Sequence, residues 1–274
     1  RDVSSNSQIM LHLTAATTYW IFGGGLDLYD FTILFPVIFS SLSAIVIFAL
    51  VRVIGGTTAG LFSAILFSVS IPLLIRSPLG WFKSEPLGIF FSLLFVYLLL
   101  SGINSKNKKI AFIKLVGSGI FTIFSISAWG GNQFFIIPIG ILFLTLPFLR
   151  TDHKFIIWAI PVYTISAILI SFMFERVNIS ELWGIALIVS TLFLVSCIFI
   201  QNKSLKNKQR NGLLFLISLL VITGIIFIIN SESEFLPSAS HRYLNAMNPF
   251  LTTTDPLVDS VSEHATTTLA QSFL

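Results

Sequence analysis

The sequence predicts an all-α polytopic membrane protein, a multispanning helical bundle, on three observations. Mean hydropathy is +0.92. Charged residues make up 10% and hydrophobic residues 55% of the 274, with 28 Phe, whereas a soluble domain carries about 25% charge. Apolar runs at about 31–51, 57–75, 86–101, 112–128, 132–149, 155–174, 182–200 and 211–229 approach the roughly 20 residues that a helix needs to cross a bilayer core. The 16 Lys and Arg also alternate by loop. Eleven (Arg52, Lys106, Lys108, Lys109, Lys114, Arg150, Lys154, Lys203, Lys206, Lys208 and Arg210) fall on one side. Five (Arg1, Arg76, Lys83, Arg176 and Arg242) fall on the other. This is a positive-inside pattern, and it places the 76–85 loop and the tail after residue 229 outside.

Taken in order, residues 1–30 start polar and become a short aromatic-containing segment, Gln8 to Phe22, that ends in Gly23, Gly24 and Gly25. It is short for a span and is expected as an interfacial or re-entrant helix. No basic start followed by an apolar core and cleavage site is present. The chain has no initiator Met and reads as an excised fragment. Residues 31–229 form the transmembrane bundle, about eight helices. Thr57, Thr58, Ala59 and Gly60 open the second span with small residues that permit close helix approach. Pro138 and Pro161 lie inside spans, where neighbours re-satisfy the freed carbonyls. Residues 230–274 form a polar outer loop. Cys197 sits alone in an apolar run, so no disulfide framework exists within one chain and packing is its expected role. The net charge of +4 is absorbed by the topology signal, so no nucleic-acid partner is expected.

Two outer segments carry chemistry. Arg76-Ser-Pro-Leu-Gly-Trp-Phe-Lys-Ser-Glu85 puts three charges into ten residues between apolar spans. Simple interfacial anchoring explains such charges as readily as a site does. The tail runs Arg242-Tyr-Leu-Asn-Ala-Met-Asn-Pro-Phe250, then Pro256-Leu-Val-Asp-Ser-Val-Ser-Glu-His264. Solvated polar residues are the ordinary reading of Glu263 and His264, but they share a side with Glu85.

Three elements carry a resemblance. Arg76, Gly80, Lys83 and Glu85 match an Arg-x-x-x-Gly-x-x-Asp-x-acidic motif in all but the Asp, Ala128-Trp-Gly-Gly131 matches a Trp-Gly element, and the tail ends in a Ser-Val-Ser-Glu motif at Ser260–Glu263. In this order they resemble the membrane part of the catalytic subunit of oligosaccharyltransferase, in its archaeal, AglB-like form, a lipid-dependent glycosyltransferase of the GT-C type. The resemblance implies glycan transfer from a polyprenyl (dolichyl) phosphate or diphosphate carrier to Asn in Asn-x-Ser/Thr of an acceptor polypeptide. The active site would lie on the extracellular face of a multi-pass plasma-membrane protein. The first span and a soluble C-terminal domain would lie beyond this chain, and the 274 residues alone would be inactive.

The same resemblance implies site roles. Glu263 would contact the acceptor amide and a metal, Glu85 would belong to the metal site, and Arg76 would lie near acceptor and phosphate. His12, Trp129, Lys83 and His264 would bind substrate. Anchoring or packing explains His12 and Trp129 equally well. The metal would be Mn²⁺ or Mg²⁺, hard cations suited to carboxylates. Lys83 stands where the family has an acidic ligand, and an ammonium cannot bind a cation. Either Glu85 serves alone from this loop, or Lys83 supplies part of the positive charge, or the site is degenerate. The alternatives are another polyprenyl-phosphate-dependent glycosyltransferase, which has no need of the tail motif, and a transporter. A transporter would carry ionisable residues mid-span, whereas Asp30, Glu175 and Arg176 fall at span ends.

Overall fold

A computed structural model describes the backbone of residues 9–150, 152–203 and 208–233, and side chains up to residue 221 except Lys203. Helices account for the regular structure, and no strand occurs among the described residues. The chain divides into two units, Arg1–Leu216 and Ile217–Leu274. In the second, the described residues continue the last helix to Ser233.

Helix α1, Ile9–Phe22, is the short helix expected before the first span. Its Met10, Leu11, Thr14 and Ala15 are buried, while Leu13, Trp20, Ile21 and Phe22 are exposed. Helix α2, Leu28–Ser68, breaks at Gly56, whose φ of 83° and ψ of 179° only glycine adopts readily. At the break the chain turns back on itself. A Cβ on Gly60 would lie 2.8 Å from the Phe48 carbonyl, twelve residues away, a contact that a straight helix cannot make. The first two expected spans are therefore the arms of one helical hairpin, and Gly60 supplies the close approach.

The expected span at 57–75 is not continuous. The second arm stops at Ser68, and α3, Ile71–Arg76, restarts with Pro72 in its first turn. There the missing N–H removes no helical bond. Helix α4 is Ser84–Ile103 and α5 is Lys108–Ala128. Asn107 caps α5, its side chain accepting from the Lys109 N–H at 2.9 Å. A 3₁₀ turn, Gly130–Phe135, leads into α6, Ile136–Leu149. Pro138 consequently falls in the first turn of α6, where it frees no carbonyl, unlike Pro161 inside α7, His153–Ser171. Helices α8, Leu182–Lys203, and α9, Lys208–Ser233, complete the described chain. Six helices are long and apolar enough to cross a membrane among the described residues.

The spans join through small residues and hydroxyls. Gly119 of α5 meets α7 so closely that a Cβ would fall 2.7 Å from the Tyr163 carbonyl and 2.8 Å from the Ala167 nitrogen. Hydroxyl pairs bridge Ser92 to Ser125 at 2.6 Å, Thr122 to Tyr163 at 3.0 Å and Thr164 to Thr191 at 2.7 Å. In lipid such contacts replace the hydrophobic effect as the adhesive between helices. One buried apolar cluster is centred on α4 to α8 and includes Leu99, Leu115, Phe143, Tyr163 and Trp183. A second joins Leu11 of α1, Phe31 and Phe35 of α2, Leu87 of α4 and Ala128 of α5. It gathers the ends of those elements on one side of the bundle.

Candidate functional site

The second cluster underlies the 76–85 loop. Two contacts and one glycine backbone angle hold the loop. The Gly80 N–H donates to the Ile33 carbonyl at 3.1 Å, Gly80 takes a φ of 81°, and the Phe82 ring meets Phe35 edge-on at 5.3 Å. The loop is thereby fastened to the first arm of α2. On either side of it stand the charged groups. Arg76 closes α3 and Glu85 opens α4, so each charge also suits the dipole at its helix end.

Arg76 Nη1 lies 3.2 Å from Glu85 Oε1. The arginine side chain is 34% exposed and the glutamate 13%. Glu85 Oε2 is buried and has no hydrogen-bond partner among the described residues. Lys83 Nζ sits 4.3 Å from the centroid of the Trp81 ring, a cation–π contact. The loop therefore pairs Arg76 with Glu85, while Lys83 rests on Trp81.

Trp129, the residue that ends α5, packs against α4 near its start. A Cβ on Gly88, one turn beyond Glu85, would fall 2.7 Å from Trp129 Cβ and 2.6 Å from Asn132 Nδ2. Glycine at that position lets the Trp-Gly-Gly turn pack directly on α4. The turn is held from within: the Trp129 N–H donates to the Ser125 carbonyl at 3.0 Å, and Asn132 Nδ2 donates to the same oxygen at 2.9 Å. His12 lies on α1, whose buried face joins the same cluster, but its own position is exposed. Glu263 and His264 lie outside the described residues.

Sequence reasoning missed several polar groups at this end. Thr14 Oγ1, Trp81 Nε1 and Asn132 Oδ1 are, like Glu85 Oε2, buried without a partner among the described residues. Such orphans are rare in a finished core, each costing about 1–3 kcal/mol, and they recur where a ligand completes a site. Gln133 Nε2 donates to Glu181 Oε2 at 2.6 Å, tying the 3₁₀ turn to the loop before α8. A Gln beside Trp-Gly-Gly at the head of an apolar run was the available signal.

Among the described residues no three His, Cys, Asp or Glu side chains group as a metal site. Glu85 Oε2 is a free, buried carboxylate oxygen of the kind a hard cation takes. It fits as one ligand; Lys83 cannot be another.

The fold and this site define a multi-pass helical membrane protein with a charge-paired site at one end of its bundle. The sequence matches the family described as "Oligosaccharyl transferase STT3, N-terminal" over residues 6–248, and the chain belongs to that family. The resemblance expected from the motifs is thus borne out. The STT3 subunit of dolichyl-diphosphooligosaccharide–protein glycosyltransferase from Dictyostelium discoideum is 25% identical over 279 residues, covering 96% of this chain and 38% of the relative. The STT3B subunit of the same enzyme from Arabidopsis thaliana is 24% identical over 270 residues, covering 94% and 36%. The chain therefore spans little more than a third of the length of these curated relatives.

The fold is similar to that of the Archaeoglobus fulgidus oligosaccharyltransferase. In the apo form the TM-score is 0.69 at 17% identity, covering 90% of this chain and 31% of that one. In its complex with an inhibitory peptide and a dolichol-phosphate the TM-score is 0.67 at 17% identity, covering 92% and 32%. In its complex with Zn and sulfate it is 0.64 at 18% identity, covering 81% and 31%.

Proposed function

We propose that the protein to which this chain belongs is an oligosaccharyltransferase catalytic subunit. It would transfer a glycan from a polyprenyl (dolichyl) phosphate or diphosphate to the side-chain amide of Asn in Asn-x-Ser/Thr. The observation that carries the reading is the Arg76–Glu85 pair, with one carboxylate oxygen engaged and the other buried and without a partner among the described residues. Family membership supports it, as do structures of the Archaeoglobus fulgidus enzyme in complex with a dolichol-phosphate and tethered with an acceptor peptide.

In the reaction the bond from the sugar C1 to the phosphate oxygen breaks and a bond from C1 to the amide nitrogen forms. The electron pair leaves with the phosphate, and the nitrogen gives up a proton. An amide nitrogen is a weak nucleophile because its lone pair is delocalised. Carboxylates accepting its N–H bonds hold it poised toward C1, the role proposed for Glu263. Arg76 holds Glu85 in place and adds positive charge where the phosphate departs. Lys83, resting on Trp81, is a second such cation. Trp129, His12 and His264 are proposed to border the lipid-phosphate pocket. A bound Mn²⁺ or Mg²⁺ would neutralise charge on the leaving phosphate, with Glu85 and Glu263 as ligands. In this reading the enzyme is of the archaeal type, sits in the plasma membrane and works on the extracellular face. The bias of loop lysines to the opposite end of the bundle supports that orientation.

The test is transfer by the full-length protein to an Asn-x-Thr peptide with native lipid extract, with and without chelator, beside Glu263→Gln. Loss in the variant, and rescue of the chelated enzyme by Mn²⁺, are expected. Chelator-insensitive transfer would remove the metal from the proposal, and absence of transfer would remove the activity.

A further inference from the structure

The end of the bundle opposite Glu85 holds a built cavity that the proposed reaction does not use. Helix α4 is 20 residues long, so Ile103 lies about 27 Å along it from Glu85 at 1.5 Å per residue. There a groove of about 560 Å³ runs between the α4–α5 turn and the start of α7. Lys106, Lys108, Arg150 and Lys154 stand around it against a single acid, Asp152. The three lysines make no ion pair among the described residues. Arg150 is fixed in the wall, its Nη2 donating to the Ile103 carbonyl at 3.0 Å and to Asn104 Oδ1 at 2.7 Å.

The start of α7 also supplies apolar surface. Phe155 and Trp158 both line the groove, and their rings meet edge-on at 5.0 Å. Cations at the rim and a Phe–Trp pair reaching one helical turn beyond Lys154 match a molecule that is anionic at one end and greasy at the other. Indole rings favour the headgroup level of a bilayer, and basic pockets between spans take acidic headgroups.

We infer that this groove binds the phosphate headgroup of an anionic membrane lipid, with the phosphate on Lys106 and Lys154 and the first acyl segment against Trp158. Four cations against one carboxylate give the charge complementarity. A free phosphate would use the lysines and leave the aromatic wall idle, and that difference separates the two sources. The inference is independent of the proposed transferase activity.

The experiment is native mass spectrometry of the full-length protein in detergent. Phosphatidylglycerol is added against phosphatidylcholine of the same chains. The wild type should retain phosphatidylglycerol in preference. Lys106→Gln combined with Lys154→Gln should cut retention about tenfold, the effect of losing roughly 1.4 kcal/mol of binding. Lys109→Gln with Lys114→Gln, equal in charge and outside the groove, should leave it intact. Trp158→Ala should weaken the lipid but not the competition by inorganic phosphate. Equal losses in the two lysine pairs would reduce the groove to diffuse surface charge and overturn the inference. So would phosphatidylglycerol retention that ignores Trp158→Ala, which would leave a free-phosphate site. The substituted lysines are surface groups, and a thermal melt confirms that each variant is folded.

Discussion

Arg76 and Glu85, nine positions apart, meet guanidinium Nη1 to carboxylate Oε1 at 3.2 Å. The second oxygen of that carboxylate is buried and has no partner among the described residues. An ordinary interfacial ion pair is solvated on both sides and contributes little. Here the arginine fixes which oxygen is available and which is occupied.

Glu85→Gln in the full-length protein keeps the shape and removes the charge. It is expected to lower the rate of glycan transfer to an acceptor peptide about 100-fold or more, the scale seen when one electrostatic stabiliser of a transition state is removed. Wild-type rates in this variant would show that the free oxygen is not used.

Lys83→Asp places a second carboxylate two residues from Glu85. If the loop is built to hold a cation and Lys83 prevents it, Mn²⁺ binding should tighten at least about tenfold. The paramagnetic signal of free Mn²⁺ measures this without reference to activity. Unchanged affinity would mean that Lys83 was never what excluded the ion.

Gly88→Ala and Gly117→Ala make a matched pair. Both add one methyl inside a span, but at Gly88 it would meet Trp129 Cβ at 2.7 Å, while at Gly117 the nearest atom is 3.5 Å away. The first should destabilise the fold by about 1–3 kcal/mol through overpacking. The second should be neutral, or stabilising by about 0.5–1 kcal/mol from helix propensity. Thermal melts of the two proteins should move apart; equal shifts would contradict the packing at Trp129.

The Thr122–Tyr163 bond is asymmetric. Thr122 Oγ1 also donates to the Ser118 carbonyl at 2.9 Å, so Tyr163→Phe should cost about 1 kcal/mol. Thr122→Ala strands the buried phenol and should cost about 1–3 kcal/mol. Chemical denaturation of both variants in one detergent tests the order, and a reversal would show that the phenol has another partner.

The sequence was readable wherever hydropathy carried the information. The spans, the short α1 helix and the placing of Arg76, Lys83 and Glu85 at one end all follow from apolar runs and loop charge. What it did not show was curvature and contact. Nothing local in residues 28–68 says that Gly56, rather than Gly55, carries the left-handed turn. The break after Ser68 was hidden because Val69 to Ile75 are as apolar as a span. Trp129 was legible as a motif, but its seat on Gly88 depends on two helices meeting side by side. Gln133 and Glu181, 48 positions apart, are joined only by the fold.

The interruption between Ser68 and Ile71 makes Arg76 a matter of phase. The second arm of α2 from 57 to 68 is about 18 Å long, and only with α3 does the path reach the roughly 30 Å of a bilayer core. Each residue in a helix turns its side chain by about 100°. Removing one residue from the linker would therefore swing Arg76 more than a quarter-turn from Glu85 while every atom of both side chains stayed in the sequence. In this chain the spacing of two uncharged linker residues, Val69 and Ser70, specifies an ion pair as firmly as the charges do.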